Sequence, residues 1–461
     1  MTWANRIAFG LMIAVIVVTV AAYGAVHQPI LALFYVMIAV MLVLWAVDGF
    51  RSGVIRASLS KLQIPLYAAA LYGLIQTIPF GTVGEVGGLA DIPRTISLDP
   101  YATQMSALHF FALGLFFSLS LTLVDSADRI RKLAIVIAVF GFGYAFFAIL
   151  QSVLSPGKIY GIYEARFAVP FGSFVNRHNF AAYMEMTIGV PLGMLFAGAV
   201  ARDKRLLYIT CIGLMGVALV MSGSRGGLVA FLAEVIFLVI LTTGAQSRRG
   251  LILKVGFAAV LIAGIVIGSI FVGGESSLTR IAETAASGDI TTNRSHIWAV
   301  TTSVIVQGMP LGAGFGALGV AYTPHDTYSG LARVEQSHND YLQVAADAGL
   351  VGMVIGIFFL FWLFKQAFAS ANVENTYRRG VAIGAIAGCF AVLVHSIFDF
   401  VLHVTAVSVM FIVLMTLIVV CRERYDDDIE LPEWQRIKSR PARRSGPASF
   451  PDNRRQRTGI V

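Results

Sequence analysis

Apolar and polar residues alternate in long blocks along this chain, the pattern of a protein that crosses a bilayer many times. Apolar stretches of about twenty residues, the helix length that spans a hydrocarbon core of roughly 30 Å, recur almost from end to end. They predict spans at 7–26, 29–47, 62–80, 104–124, 133–154, 179–200, 206–222, 226–243, 253–273, 347–364, 380–398 and 402–421, twelve in all. The alternating segments of a membrane barrel are absent, so the predicted fold class is all-α, a polytopic transmembrane helical bundle. Only His27 and Gln28 separate the first two spans, which predicts a tight helical hairpin, and Pro191 inside the sixth allows a kink. The first run lacks a small-residue cleavage site and a second run follows at once, so it reads as a retained helix and not a signal peptide.

The polar residues between the spans set an orientation. With the N-terminus in the cytoplasm, every cytoplasmic connection is basic: Arg51, Arg56 and Lys61; Arg129, Arg131 and Lys132; Arg202, Lys204 and Arg205; Arg248, Arg249 and Lys254; Lys365, Arg378 and Arg379; Arg422 and Arg424. Both termini are then cytoplasmic. The membrane domain is predicted over 1–421, with one large outer loop at 274–346. Within that loop Ile297, Trp298, Val300, Val304 and Ile305 predict an amphipathic helix near 295–307. Pro310, Gly312, Gly314 and Gly316 end it. A loop of that length with structure of its own is usually functional. The tail 422–461, acidic and then basic and rich in Pro, Ser and Arg, is predicted to be cytoplasmic and mostly disordered.

Composition narrows the function. The chain is 57% apolar and only 13% charged, about half the charge of a soluble domain. The net charge of +8 follows from the basic cytoplasmic loops and gives no reason to expect nucleic-acid binding. Cys211, Cys389 and Cys421 all lie in or at the end of apolar runs, so neither a disulfide framework nor a cysteine metal site is expected.

The chemistry-bearing residues gather at the outer ends of the spans. His338, Asn339, Asp340 and Asp347 stand at the lip of a late apolar run, where they are costly without partners or a task. His338 suits a general base, with Asp340, Asp347 or Glu335 as a neighbour to orient it; a helix-cap histidine is the plainer reading. Arg225 follows Ser222-Gly223-Ser224 at the start of the eighth span and Arg294 starts the loop helix. Two arginines at two helix starts could grip a diphosphate, or could be a snorkelling and a solvated charge. Asn176, Arg177 and His178 open the sixth span and either bind sugar or phosphate or cap the helix. His395, Asp399 and His403 recur at four-residue intervals across a turn and either bind substrate hydroxyls or hold the last two helices together. The spacing of His and Asp matches no standard metal site, and no metal or other cofactor is expected.

Four stretches in order, GSFVNRHNFAAYM at 172–184, SGSRGGLVAFL at 222–232, NRSHIWAV with PLGAGFGAL at 293–318 and SHNDYLQVAADAGLVG at 337–352, with HSIFDFVLH closing the set, resemble the O-antigen ligase and O-antigen polymerase superfamily of bacterial membrane glycosyltransferases. The resemblance covers about 172–403; the first third of the chain matches only in hydropathy. It implies a bacterial inner-membrane protein with a periplasmic active site. It implies a glycan donor on undecaprenyl diphosphate and metal-independent, inverting transfer to a hydroxyl of lipid A core or of a growing glycan. Carried over by motif, Arg225 and Arg294 would hold the diphosphate and His338 would activate the acceptor. Asn176, Arg177, His178, Asn339, Asp340, Asp347, His395 and His403 are the further substrate-binding candidates. The chain departs from the pattern at Asp347-Ala348-Gly349, where many members carry Glu, which leaves the role of that carboxylate open. The competing reading, a transporter or flippase for an anion or a lipid-linked glycan, calls for polar residues near mid-membrane on broken helices. Gln76, Glu185 and Glu234 are the residues of that kind.

Overall fold

The structure, a computed structural model, describes residues 2–84, 88, 90–166, 168–243, 248–273, 294–327 and 333–422. The predicted tail 422–461 and the start of the large loop, including Asn293, therefore lie outside the described residues, Arg422 apart. Helices account for about three-quarters of what is described. In chain order they are α1 (Trp3–Ala21), α2 (Gln28–Ser52), α3 (Ile64–Gln76), α4 (Pro100–Leu123), α5 (Ala127–Leu154), α6 (Arg177–Phe196), α7 (Arg205–Met221), α8 (Arg225–Thr243), α9 (Arg248–Gly273), α10 (Arg294–Gly308), α11 (Leu318–Tyr322), α12 (Asp340–Ala371), α13 (Thr376–His395) and α14 (Thr405–Val420). A two-residue hairpin pairs β1 (Lys158–Ile159) with β2 (Tyr163–Glu164).

Local chemistry fixes where these helices start. Thr2, Asp99, Ser126, Asn176, Asn339 and Asn375 each turn a side-chain oxygen onto a backbone N–H of the first turn. Pro29, Pro65 and Pro100 sit in first turns, where the missing N–H has no partner to lose. Each of the twelve predicted segments coincides with a helix, and the bundle is all-α as predicted. Among the described residues, however, nine helices are long and apolar enough to cross a membrane. The other three are α3 with 13 residues, α14 with 16, and α6, whose 20 residues include Arg177, His178, Asn179 and Glu185.

Burial explains why two of these three, α6 and α14, escape the usual demands of a span. Every residue of α14 is buried, and so is almost all of α6. A helix wrapped in protein need not match the bilayer in length or apolarity. By contrast α9, apolar all round, exposes most of its surface, as a lipid-facing helix should. The core is thus the α6–α13–α14 group. Gly193 and Gly384 bring α6 and α13 into backbone contact: a Cβ on Gly193 would stand 2.2 Å from Gly384 Cα. Small residues permit this approach, and dispersion contacts between touching backbones then hold the pair.

The span predicted at 347–364 is extended and broken. Helix α12 begins at Asp340 and is interrupted at Gly349 (φ 55°, ψ −143°), a conformation open essentially to glycine alone. The break has a cause outside the helix. The Pro310–Gly316 segment docks there, with Leu350 N donating to Pro310 O (2.9 Å), Ala313 N to Ala346 O (2.8 Å) and Gly314 N to Asp347 O (2.9 Å). A Cβ on Gly349 would lie 2.3 Å from Pro310 O. Gly349→Ala therefore meets both a clash with backbone and a strained φ/ψ worth about 1–3 kcal/mol. We expect a lower melting temperature in detergent than for Gly356→Ala, which meets no atom within 4 Å; equal midpoints would refute the assignment.

Candidate active site

The N-termini of α6, α8 and α12 and the C-terminus of α13 come together, and the turn 396–404 between α13 and α14 lies among them. Asn176 caps α6 by accepting from His178 N (2.9 Å), and Ser224 caps α8 by accepting from Gly227 N (3.2 Å). The His178 ring joins the two helix starts, its Nδ1 2.9 Å from Ser224 Oγ. Asn339 caps α12 through Tyr341 N and Leu342 N and donates its Nδ2 to Ile397 O (3.0 Å). Asp340 N donates to Ser396 O (2.9 Å). These contacts make one rigid platform from four chain segments.

Asp399 is its hub. The carboxylate is buried, with 2% of the side chain exposed. Its Oδ1 accepts from His338 Nδ1 (3.1 Å) and Phe400 N (2.9 Å), its Oδ2 accepts from Arg294 Nη2 (3.1 Å), and His178 Nδ1 stands 4.0 Å away. Burial pushes the Asp399 carboxyl up. The hydrogen bond from His338 and the charges of His178, Arg294 and His338 outweigh it and hold the group well below the usual carboxylate range. Arg294 also donates to Phe398 O, so it is held by the turn on two sides while 22% of its side chain remains exposed. His338, at 32%, is more open still. It adopts φ 52°, a left-handed conformation costly for a side chain with a Cβ. The residue precedes the Asn339 cap, and the strained backbone directs the imidazole to Asp399.

A second pair lies beside the first. Asp340 receives His403 Nδ1 on Oδ1 (2.8 Å) and Ser396 Oγ (2.8 Å) and Leu402 N (3.2 Å) on Oδ2. Burial pushes the His403 imidazole down, but the hydrogen bond to Asp340, its charge and that of Asp347 raise it on balance. Beneath them His395 is buried, with Nδ1 3.2 Å from both carboxylate oxygens of Glu185. Its ring packs on the first turn of α8, where a Cβ on Gly226 would come 2.8 Å from Nε2. Arg225, half-buried, begins α8 between Ser224 and Gly226, and Arg177 Nη1 reaches to 3.5 Å from the Cβ position of Gly223.

Of the eleven candidates named from sequence, ten (Arg177, His178, Arg225, Arg294, His338, Asn339, Asp340, His395, His403 and the cap Asn176) thus surround or support the 396–404 turn. Asp347 does not face it. It is buried inside α12, accepts from Gly316 N (3.1 Å) and Gln343 Nε2 (3.2 Å), and with Gln76, which bonds Asp347 O (2.9 Å) and Leu311 O (3.1 Å), pins the Pro310–Gly316 segment. Gln76 is therefore spent on a loop brace. The acidic partner of His338 is none of the three considered: Asp340 serves His403, Asp347 the brace, and Glu335 pairs with Arg333 (3.4 Å). Asp399 was visible only as one member of the His395, Asp399, His403 series. Its sequence distance of 61 residues from His338 hid the pairing. Glu185 carried no signal beyond being an ionisable residue within a span.

The hydrogen bond to Asp399 engages Nδ1–H of His338 and leaves the Nε2 lone pair to accept a proton. Close to it stand the Arg294 guanidinium, on the same carboxylate, and two further helix N-termini, of which α8 begins at Arg225, an environment that favours an anion. Among the described residues no three His, Cys, Asp or Glu side chains are placed to hold a metal ion.

Residues 210–357, from within α7 to within α12, match the family model described as O-Antigen ligase. No curated protein matches the chain. The matched stretch, about a third of the chain, contains Arg225, Arg294 and His338, and it supports the resemblance of this multi-pass membrane protein to the O-antigen ligase and polymerase superfamily.

Proposed function

We propose that the protein transfers a glycan from undecaprenyl diphosphate to an acceptor hydroxyl at the periplasmic face of the bacterial inner membrane, without a metal and with inversion at the anomeric carbon. The coarser statement, glycosyl transfer of the O-antigen ligation or polymerisation type from a lipid-linked donor, follows from the family. The observation that best supports the finer one is the Arg294–Asp399–His338 chain, which joins an anion-binding group to a base through one buried carboxylate.

In this reading His338 Nε2 takes the proton of the acceptor hydroxyl. The hydroxyl oxygen bonds to the anomeric carbon while the bond from that carbon to the diphosphate oxygen breaks on the opposite face. Asp399 keeps the imidazole in the tautomer that exposes Nε2 and stabilises the imidazolium that forms. Negative charge grows on the departing diphosphate, where Arg225, Arg294 and the N-terminus of α8 stabilise it by fixed electrostatics. This supplies locally the positive charge that Mg²⁺ supplies to other diphosphate-leaving reactions.

The test is a product assay. Purified protein is incubated with undecaprenyl-diphosphate glycan in EDTA, with and without lipid A core. Glycan on the core is the ligase outcome, and a ladder of longer lipid-linked glycans is the polymerase outcome. Donor left intact in EDTA but consumed with added Mg²⁺ would overturn metal independence, and donor left intact in both would overturn the transferase.

A further inference from the structure

Two polar side chains at membrane depth, not assigned above, meet between α2 and α4. Tyr35 on α2 and His109 on α4 are hydrogen-bonded to each other, the phenol oxygen 3.2 Å from His109 Nδ1, and both are only partly buried. At 1.5 Å per residue they lie roughly 10–13 Å below the starts of their helices. Polar groups held there, on two helices otherwise apolar enough to span, are costly unless they serve a site.

They do not stand alone. His109 stands on α4, which packs against α14, the helix that begins two residues after His403. His403, exposed, lies 6.4 Å from the Phe400 ring, and Phe400, partly exposed, lies 4.9 Å from the His338 ring at 72°. The series His338, Phe400, His403 and the pair His109, Tyr35 thus lead from the base toward lipid depth. It differs in chemistry from the other side of Asp399. There stand Arg294 and the starts of α6 and α8, which carry Arg177 and Arg225, groups suited to a diphosphate. Here the side chains are aromatic, imidazole and phenol, which suit a sugar: ring C–H groups on an aromatic face and hydroxyls on imidazole and phenol groups.

We propose that Phe400, His403, His109 and Tyr35 form the acceptor subsite, which seats the terminal sugar of a membrane-anchored glycan and turns one of its hydroxyls to His338 Nε2. The assignment rests on the transferase reading. The depth of Tyr35 and His109 implies an acceptor that arrives sideways from the bilayer.

Steady-state kinetics of Tyr35→Phe, His109→Gln and Phe400→Ala test it, with undecaprenyl-diphosphate glycan as donor and whichever acceptor the wild type uses, lipid A core or a second lipid-linked glycan. We expect acceptor KM to rise about tenfold or more in Tyr35→Phe, as for a lost hydrogen bond to a bound group, with donor KM within about twofold of wild type, which also certifies the fold. Donor KM rising in step, or no change in either, overturns the subsite. For a variant without turnover, acceptor and donor binding in nanodiscs replace the kinetics: loss of acceptor binding alone supports the assignment, and any other pattern overturns it. A wild type that consumes no donor would overturn the transferase reading itself.

Discussion

His338→Ala is expected to lower the turnover of glycan transfer by about 10²–10⁴-fold, the usual contribution of a positioned general base. The donor should still bind, because the arginines and helix starts proposed to hold the diphosphate are untouched. KM for the donor should therefore stay near wild type while kcat falls. The residue is a third exposed, so its removal creates no cavity, while alanine keeps the Cβ that makes the left-handed backbone costly and Asp399 loses one donor. The melting temperature should fall only slightly. His338→Gln, which keeps a hydrogen-bonding group near Asp399 but cannot take a proton at neutral pH, should be as inactive as the alanine variant. Transfer at more than about a tenth of the wild-type rate in both variants would exclude His338 as the base.

Asp399→Asn is expected to cost transfer by a comparable factor, about 10²–10⁴-fold, for a different reason. Asparagine fills the same space but replaces one acceptor oxygen with an NH₂ group. Asp399 uses one oxygen for His338 and the other for Arg294, so the amide must turn its donor toward one of two donors. Either the imidazole loses its orientation or the guanidinium does. The pH dependence of stability separates this from a general loss of structure. The carboxyl is held well below its ordinary value of about 4. Its ionised form therefore stabilises the fold above that value, and the contribution is lost as pH falls through the lower folded value. The wild type should lose thermal stability more steeply than Asp399→Asn below about pH 4, while between pH 5 and 9 the variant should be uniformly less stable. Parallel curves at all pH values would mean that Asp399 is not ionised in the fold.

Sequence alone determined the class of the molecule and the chemistry available to it. Hydrophobic run length is a local property, and a hydrogen-bonded backbone in lipid has almost no alternative to helix. The twelve helices could therefore be read from the chain. So could the gathering of His and Arg at one set of helix ends, since the positive charges of the other ends are equally local. The tertiary structure decided three things. It decided which helices face lipid: α6 and α14 are shielded by their neighbours, so fewer helices satisfy the demands of a span than run length predicted. It decided what breaks α12, because the conformation of Gly349 is imposed by the Pro310–Gly316 segment docking against it, which also gives Asp347 and Gln76 their work. And it decided the partners of the base. Electrostatic pairing depends on distance in space, and the turn that carries Asp399 is returned to His338 and Arg294 only by the packing of α13 against α6, where two glycines let the backbones touch.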